Sequence, residues 1–315
     1  MSEYNIAHLA VDSPFGNAGG VVKRPEDVEK MAHSGVGWIE AGSYTMEPRA
    51  GNGPNGEVVY YHDPATGETF NSLGMPNKGM DVVETEIPVM AETAHGFGKP
   101  LLVNVAPVSD DPAAESRELV RRAYEAGADA VLLNAGCPNV VTADGQRHEI
   151  LGKNQRALNE TLLALRPVTE KFTPVFVRLS PLDSRDESLE ILRAVECSGG
   201  AVSAIFTPNT WPGHKPVDAA GQPILEVPGG TGGKSGPATA KDAARQTAWL
   251  ALSTLMPVVS SGGIMNGQEL AKRMYHRSSA VGHIAVGGAG TTFFYESQDW
   301  EYAVDKLLWE FQDSR

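Results

Sequence analysis

Ala130-Val131-Leu132-Leu133-Asn134-Ala135-Gly136-Cys137-Pro138-Asn139 is an apolar run that breaks into a loop carrying two carboxamides and a thiol. A short, continuous apolar run is the pattern of a strand buried on both faces, as parallel sheets require. Asn, Gly and Pro favour turns, so the chain leaves the strand at Asn134. Carboxamides hydrogen-bond a polar heterocycle without adding charge. A thiol, with a free pKa of ~8.5, can move a proton near neutral pH if its surroundings tune it. The stretch therefore predicts a buried strand with chemistry-bearing groups at its C-terminal end.

The same unit recurs outward in both directions. Apolar runs stand at residues 15–20, 36–39, 101–105, 175–179, 202–206, 258–260 and 281–286. Helical patterns separate them at 25–34, 112–126, 154–171, 187–197, 239–255 and 267–276, with a closing helix at 300–311. Pro25 and Pro112 sit at first-turn positions, and Gly127 marks a stop. Eight buried strands alternating with helices predict an α/β (β/α)8 TIM barrel, with a doubly wound open sheet as the alternative. Such barrels need about 250 residues, so the 315 residues here fit one domain, 1–315, with insertions after strands 2 and 6. The Gly- and Pro-rich stretches 41–78 and 211–234 are those insertions, and the first contains a hairpin through 58–67.

A net charge of −13 argues against nucleic acid as a partner, since that needs a basic face. The two cysteines, Cys137 and Cys197, form neither a disulfide framework nor a zinc spacing, and Cys197 reads as structural within a helix. No apolar run approaches the ~20 residues of a membrane span, and residues 1–10 lack the features of a signal peptide. The expectation is a cytoplasmic protein with no membrane partner and no bound metal.

Polar residues gather at one end of the expected strands. They are Asn17, Asn104, Asn134, Arg178 with Ser180, Asn209-Thr210, and Ser260-Ser261. Glycine pairs follow strands seven and eight, at Gly262-Gly263 and Gly287-Gly288. Loops in those places often bind phosphate through backbone N–H groups, and glycine permits close approach. A phosphate-bearing cofactor and a small polar substrate are expected at that face.

Taken in order, these residues resemble the dihydroorotate dehydrogenases, FMN-dependent (β/α)8 flavoenzymes, over nearly the whole chain. Asn17-Ala18-Gly19-Gly20 is similar to the family's Asn-Ala-Ser-Gly motif, and Asn71 to Asn77 looks like its substrate loop. Asn134 to Asn139 is similar to its Asn-x-Ser-Cys-Pro-Asn motif. Gly232 to Ala238 and Ser261 to Ile264 look like its flavin-phosphate loops. The cysteine resembles that of the soluble class-1 enzymes. The resemblance implies FMN as hydride acceptor, Cys137 as the base, and Asn71, Asn134, Asn139, Asn209 and Thr210 as substrate-binding residues. Flavin contacts are implied at Ala18, Gly19, Ser43, Asn104, Asn134, Arg178, Gly233, Ser261, Gly262, Gly263, Gly287 and Gly288. It also implies a homodimer and dihydroorotate or a related cyclic amide as substrate.

Three departures stand out. The family's lysine at the end of strand two aligns with Gly42; that lysine reaches the substrate carboxylate and the flavin. The lysine beside flavin N1 aligns with Arg178, which keeps the charge but changes its shape. Gly136 replaces the serine before the cysteine. Position alone nominates Arg49 or Lys78 as a replacement cation, while Glu40 reads as a solvated or salt-bridged acid. A divergent paralogue acting on a different cyclic amide or unsaturated carbonyl is therefore the alternative. A flavin-binding barrel without turnover is weighed against by the retained cysteine and asparagines, and tRNA-dihydrouridine synthesis by the acidic charge.

Overall fold

The computed structural model describes residues 4–140, 149–171, 174–274, 287–289 and 299–314. Strands β1 (Tyr4–Ile6) and β2 (Leu9–Val11) form an antiparallel hairpin. Eight strands then form one parallel sheet: β3 (Phe15–Asn17), β4 (Ile39–Tyr44), β7 (Leu101–Val105), β8 (Ala130–Asn134), β9 (Val175–Arg178), β10 (Ala204–Thr207), β13 (Val258–Ser260) and β14 (Gly287–Ala289). Their order is β3-β14-β13-β10-β9-β8-β7-β4. The ring closes between β3 and β4. Gly37 N–H donates to the Phe15 carbonyl, Gly42 N–H to Val22, and Gly20 N–H to Gly42. The result is the TIM barrel expected from the alternation.

Helices α1 (Pro25–Ala32), α2 (Met80–Gly96), α3 (Pro112–Glu125), α4 (Gln155–Ala164), α5 (Arg166–Thr169), α6 (Arg185–Glu196), α7 (Ala240–Ala251), α8 (Gly267–Met274) and α9 (Trp300–Asp313) accompany the strands. Four of them, α3, α4, α6 and α9, start on a side-chain cap, which satisfies a backbone donor that no helical carbonyl can reach. Asp111 accepts from Ala114 N–H, Asn154 from Ala157, Ser184 from Glu187 and Asp299 from Tyr302. Among the described residues no helix is long and apolar enough to cross a membrane.

The strands are buried along their whole length from β7 to β10, as a sheet covered on both faces demands. Inside the barrel Phe176 and Phe206 stack with centroids 5.5 Å apart. Gly16 makes room for the Trp38 indole, which is fully buried.

The Gly- and Pro-rich segments build a second sheet at the C-terminal ends of the barrel strands. Strands β5 (Tyr60–Asp63) and β6 (Glu68–Asn71) come from the first segment, and β11 (Trp211–His214) and β12 (Gly232–Ser235) from the second. They pair antiparallel in the order β11-β12-β6-β5. The expected hairpin is thus present, joined edge to edge with the second segment.

Two expectations need correction. Strand two, expected at 36–39, runs Ile39–Tyr44, because the charge at Glu40 is neutralised internally and does not end the strand. Gly287-Gly288, expected in a loop after a strand at 281–286, both lie within β14, paired with Phe15 and Gly16. Residues 281–286 lie outside the described residues.

Candidate active site

Strand ends from around the ring place their side chains in one cavity of about 210 Å³. β8 supplies Asn134 and the following loop Cys137 and Asn139. β9 supplies Arg178, and the turn after β10 supplies Asn209 and Thr210. β6 ends at Asn71, and its continuation, Leu73 to Pro76, forms another wall. Gly19 and Gly20, after β3, line the opposite side with Ser43 of β4. All the predicted substrate-binding residues are therefore brought together.

The carboxamides orient each other. Asn139 Nδ2 donates to Asn71 Oδ1 at 3.1 Å, and Asn209 Nδ2 to Asn134 Oδ1 at 3.1 Å. Asn134 Nδ2 donates to Ser43 Oγ at 2.9 Å. Asn139 Oδ1 is buried without a partner. A buried acceptor left unpaired costs free energy, so it suits a ligand N–H. Cys137, in no disulfide, stands between this cavity and a wider cleft of about 510 Å³ that it also lines with Asn134 and Met75.

A smaller cavity of about 50 Å³ shares Gly19, Arg178, Asn209 and Thr210 with the first. Ala18, Pro208, Trp211, Lys234, Ser235, Thr239, Ser261 and Gly262 complete it. Thr239 immediately precedes α7, whose N-terminus carries a partial positive charge. Gly262 has φ +80°, a conformation that favours glycine.

Three residues predicted to contact a cofactor, Asn104, Gly233 and Gly263, lie outside both cavity linings. Asn104 lies beneath Gly19, with Nδ2 donating to Glu40 Oε1 at 2.5 Å and Oδ1 unpartnered. Gly233 sits on β12, where a Cβ would strike Thr210. Gly263 packs against Ala240 rather than lining either cavity.

Sequence reasoning missed three residues. The first is Lys23, in the loop after β3. Its ammonium lines the main cavity, 3.4 Å from the Ser43 carbonyl. Burial pushes its pKa down to about 8, against the opposing pull of Cys137, Glu40 and Asp27. The Tyr44 hydroxyl donates to the Lys23 carbonyl and steadies the loop. By contrast, Lys78 pairs with Glu86 at 2.5 Å and Arg49 Nε donates to the Gly74 carbonyl, and neither lines the cavity. Neither of the two residues nominated from position therefore stands at the cavity.

The second is Arg273, fully buried, which donates to Ser260 Oγ and to the carbonyls of Ala240 and Gly262. It clamps the loop after β13 to the start of α7. The third is Gln246, which bonds Leu182 N–H, the Ser180 carbonyl and Thr207 Oγ1, tying the ends of β9 and β10 together. The only sequence signal for Lys23 was a lysine just beyond the Gly19-Gly20 pair.

Arg178 grips Glu40 bidentately, Nη1 to Oε1 at 2.6 Å and Nη2 to Oε2 at 2.7 Å. Glu40 is completely buried and Arg178 nearly so. The backbone of Gly19 lies directly over the pair. A Cβ there would come 2.7 Å from Glu40 and 2.8 Å from Arg178. Of the two sequence alternatives for Glu40, the salt-bridged one holds.

A barrel that gathers a thiol, carboxamides and cations at its C-terminal strand ends defines a (β/α)8 enzyme that processes a small polar molecule. Comparison with known proteins narrows the class. The family model described as dihydroorotate dehydrogenase matches residues 1–308, and the chain belongs to that family. It is thereby an oxidoreductase acting on CH–CH bonds, in a family of flavoproteins. It is 30% identical over 295 residues to "Dihydroorotate dehydrogenase B (NAD(+)), catalytic subunit" of Bacillus pumilus, covering 92% of this chain and 86% of that protein. The protein of the same name from Geobacter sulfurreducens is 29% identical over 280 residues, 88% of this chain and 84% of that one. Among solved structures, the fold matches DHODH from Eimeria tenella, crystallised with ferulenol. The TM-score is 0.75 at 20% identity, covering 98% of this chain and 83% of that one.

Proposed function

We propose that the chain is an FMN-dependent dehydrogenase that oxidises dihydroorotate to orotate, with Cys137 as the base. The observation that carries this reading is the shared cavity of Cys137, four asparagines and Lys23. The carboxamides suit the alternating N–H and C=O groups of a pyrimidine ring. Lys23 suits its carboxylate and takes over from the family lysine whose position is Gly42. A charge-assisted hydrogen bond of this kind contributes about 1.5–3 kcal/mol.

The smaller cavity supports FMN. Its bare Gly262 backbone, the hydroxyls of Ser235, Thr239 and Ser261, and the N-terminus of α7 suit a phosphate. Arg178 and Gly19, shared by both cavities, suit the flavin ring between phosphate and substrate. When bound, the flavin supplies a hydride acceptor. Cys137 takes the proton from the substrate carbon on the opposite face, and Asn134, Asn139, Asn71 and Asn209 hold the ring in register for that transfer. With two cysteines in the whole chain there is no iron–sulfur set, so NAD would be reached through a partner subunit. Both bacterial relatives are named as catalytic subunits of an NAD(+)-linked enzyme, which supports this.

A second reading keeps the flavin and changes the substrate to another cyclic amide or unsaturated carbonyl. Gly42 favours it, since its backbone, at φ +124°, leaves no room for a side chain against the Asn104 carbonyl. An anaerobic visible spectrum before and after L-dihydroorotate separates the two. A flavin that bleaches supports the first reading. One that bleaches only with dithionite supports the second. Protein that takes up no FMN overturns both.

A further inference from the structure

Two cations line the main cavity, Lys23 and Arg178, and no carboxylate is among its described lining residues. The carboxylate that matters lies one layer below. Glu40, on β4, receives both Arg178 Nη atoms and the Asn104 amide, and is sealed from solvent. A bidentate pair presents a dipole to its surroundings where a lone guanidinium presents a full charge, and a dipole's potential falls off faster with distance. Arg178 is further fixed over the Phe206 ring, 5.6 Å from its centroid, with both of its Nη atoms already engaged by Glu40.

We infer that Glu40 is a positioning residue that cancels the charge of Arg178 at the floor of the cofactor site, so that the flavin meets a neutral pair. This rests on the flavin reading above. Reduced flavin carries its negative charge at N1 and the adjoining carbonyl, and a bare cation there stabilises it and raises the potential. With Glu40 in place that stabilisation is largely withdrawn, and the bound flavin is held at a lower potential. The remaining lining cation, Lys23, then serves the substrate side. The two positive groups are thus divided, one spent within the protein and one offered to a ligand.

The test uses FMN-loaded wild type, Glu40→Gln, and the double variant Glu40→Gln/Arg178→Gln. Sulfite is the probe, because its addition at flavin N5 leaves negative charge at N1 and is read as loss of visible absorbance. Midpoint potential is the second readout. Glu40→Gln is expected to bind sulfite roughly tenfold more tightly and to have a raised potential, since it unmasks Arg178. The double variant, again neutral, is expected to return to within about threefold of wild type. Sulfite affinity unchanged in Glu40→Gln would overturn the inference. So would a double variant that binds sulfite roughly tenfold more weakly than wild type, because Arg178 would then act as an open cation in the native site. If Glu40→Gln does not fold, the double variant decides alone, as it buries no lone charge. Wild type that takes up no FMN overturns the flavin reading and this inference together. FMN uptake with unresponsive variants overturns only this inference.

Discussion

The Lys23 ammonium lies 3.4 Å from the Ser43 carbonyl, so a cation rooted after β3 stands at the end of β4. Lys23 should therefore determine whether an anionic ligand binds. We expect Lys23→Met to weaken orotate binding by about 1.5–3 kcal/mol, roughly tenfold or more, and to leave uracil, which lacks the carboxylate, unaffected. Perturbation of the flavin spectrum during titration measures both. Equal losses for the two ligands would assign Lys23 to the general architecture of the cavity.

The same residue predicts a pH dependence. Its pKa is lowered to about 8, so the ammonium is present below that value and lost as pH rises through it. Orotate affinity should fall above about pH 8 in wild type. In Lys23→Met that fall should be absent, and a fall that persists would point to another group.

Gly42→Lys, the substitution that sequence alignment invites, is expected to destabilise. The φ of +124° is unfavourable for any side chain, and a Cβ would collide with the Asn104 carbonyl. A loss of about 1–3 kcal/mol in urea unfolding is expected, with no gain in orotate affinity. Tighter orotate binding in a stable variant would show that the strand end can be rebuilt around a lysine.

Cys137→Ser should slow flavin reduction by substrate at neutral pH, since a serine hydroxyl is a much weaker proton acceptor there. Stopped-flow absorbance measures it. Rates equal to wild type would remove Cys137 from the chemistry.

Arg273→Met should loosen the phosphate end of the proposed cofactor site. It removes donors to the Gly262 and Ala240 carbonyls and to Ser260. We expect about 2–3 kcal/mol of lost stability and faster FMN release. Dialysis followed by flavin quantitation checks the second, and full retention of FMN would confine Arg273 to folding.

Much of the barrel was legible because parallel strands are written as unbroken apolar runs. β7 and β13 were read with the bounds that the structure has. β4 was cut short at its first charge, since a sequence cannot say that Glu40 meets Arg178 across the barrel. Helix α2 was overlooked, although Val83, Ile87, Met90, Ala91 and Ala94 are buried at helical spacing. Pro88 inside it reads as a breaker, yet the helix continues through it. Within the site, the asparagines and Cys137 were legible from motifs next to strand ends. Lys23 was not, because its role is created by the closure of the barrel and leaves no local pattern.

That closure has a wider consequence. The first and last strands of the open sheet order become neighbours only at the β3–β4 seam, where Val22 bridges to Ala41. Lys23 and Ser43 are twenty positions apart in the chain, yet the seam makes them adjacent. On the reading proposed above, a functional group absent from one lip of the seam is supplied from the other. Comparisons made column by column will score such an exchange as a loss, whereas comparisons made by location in space will score it as a relocation.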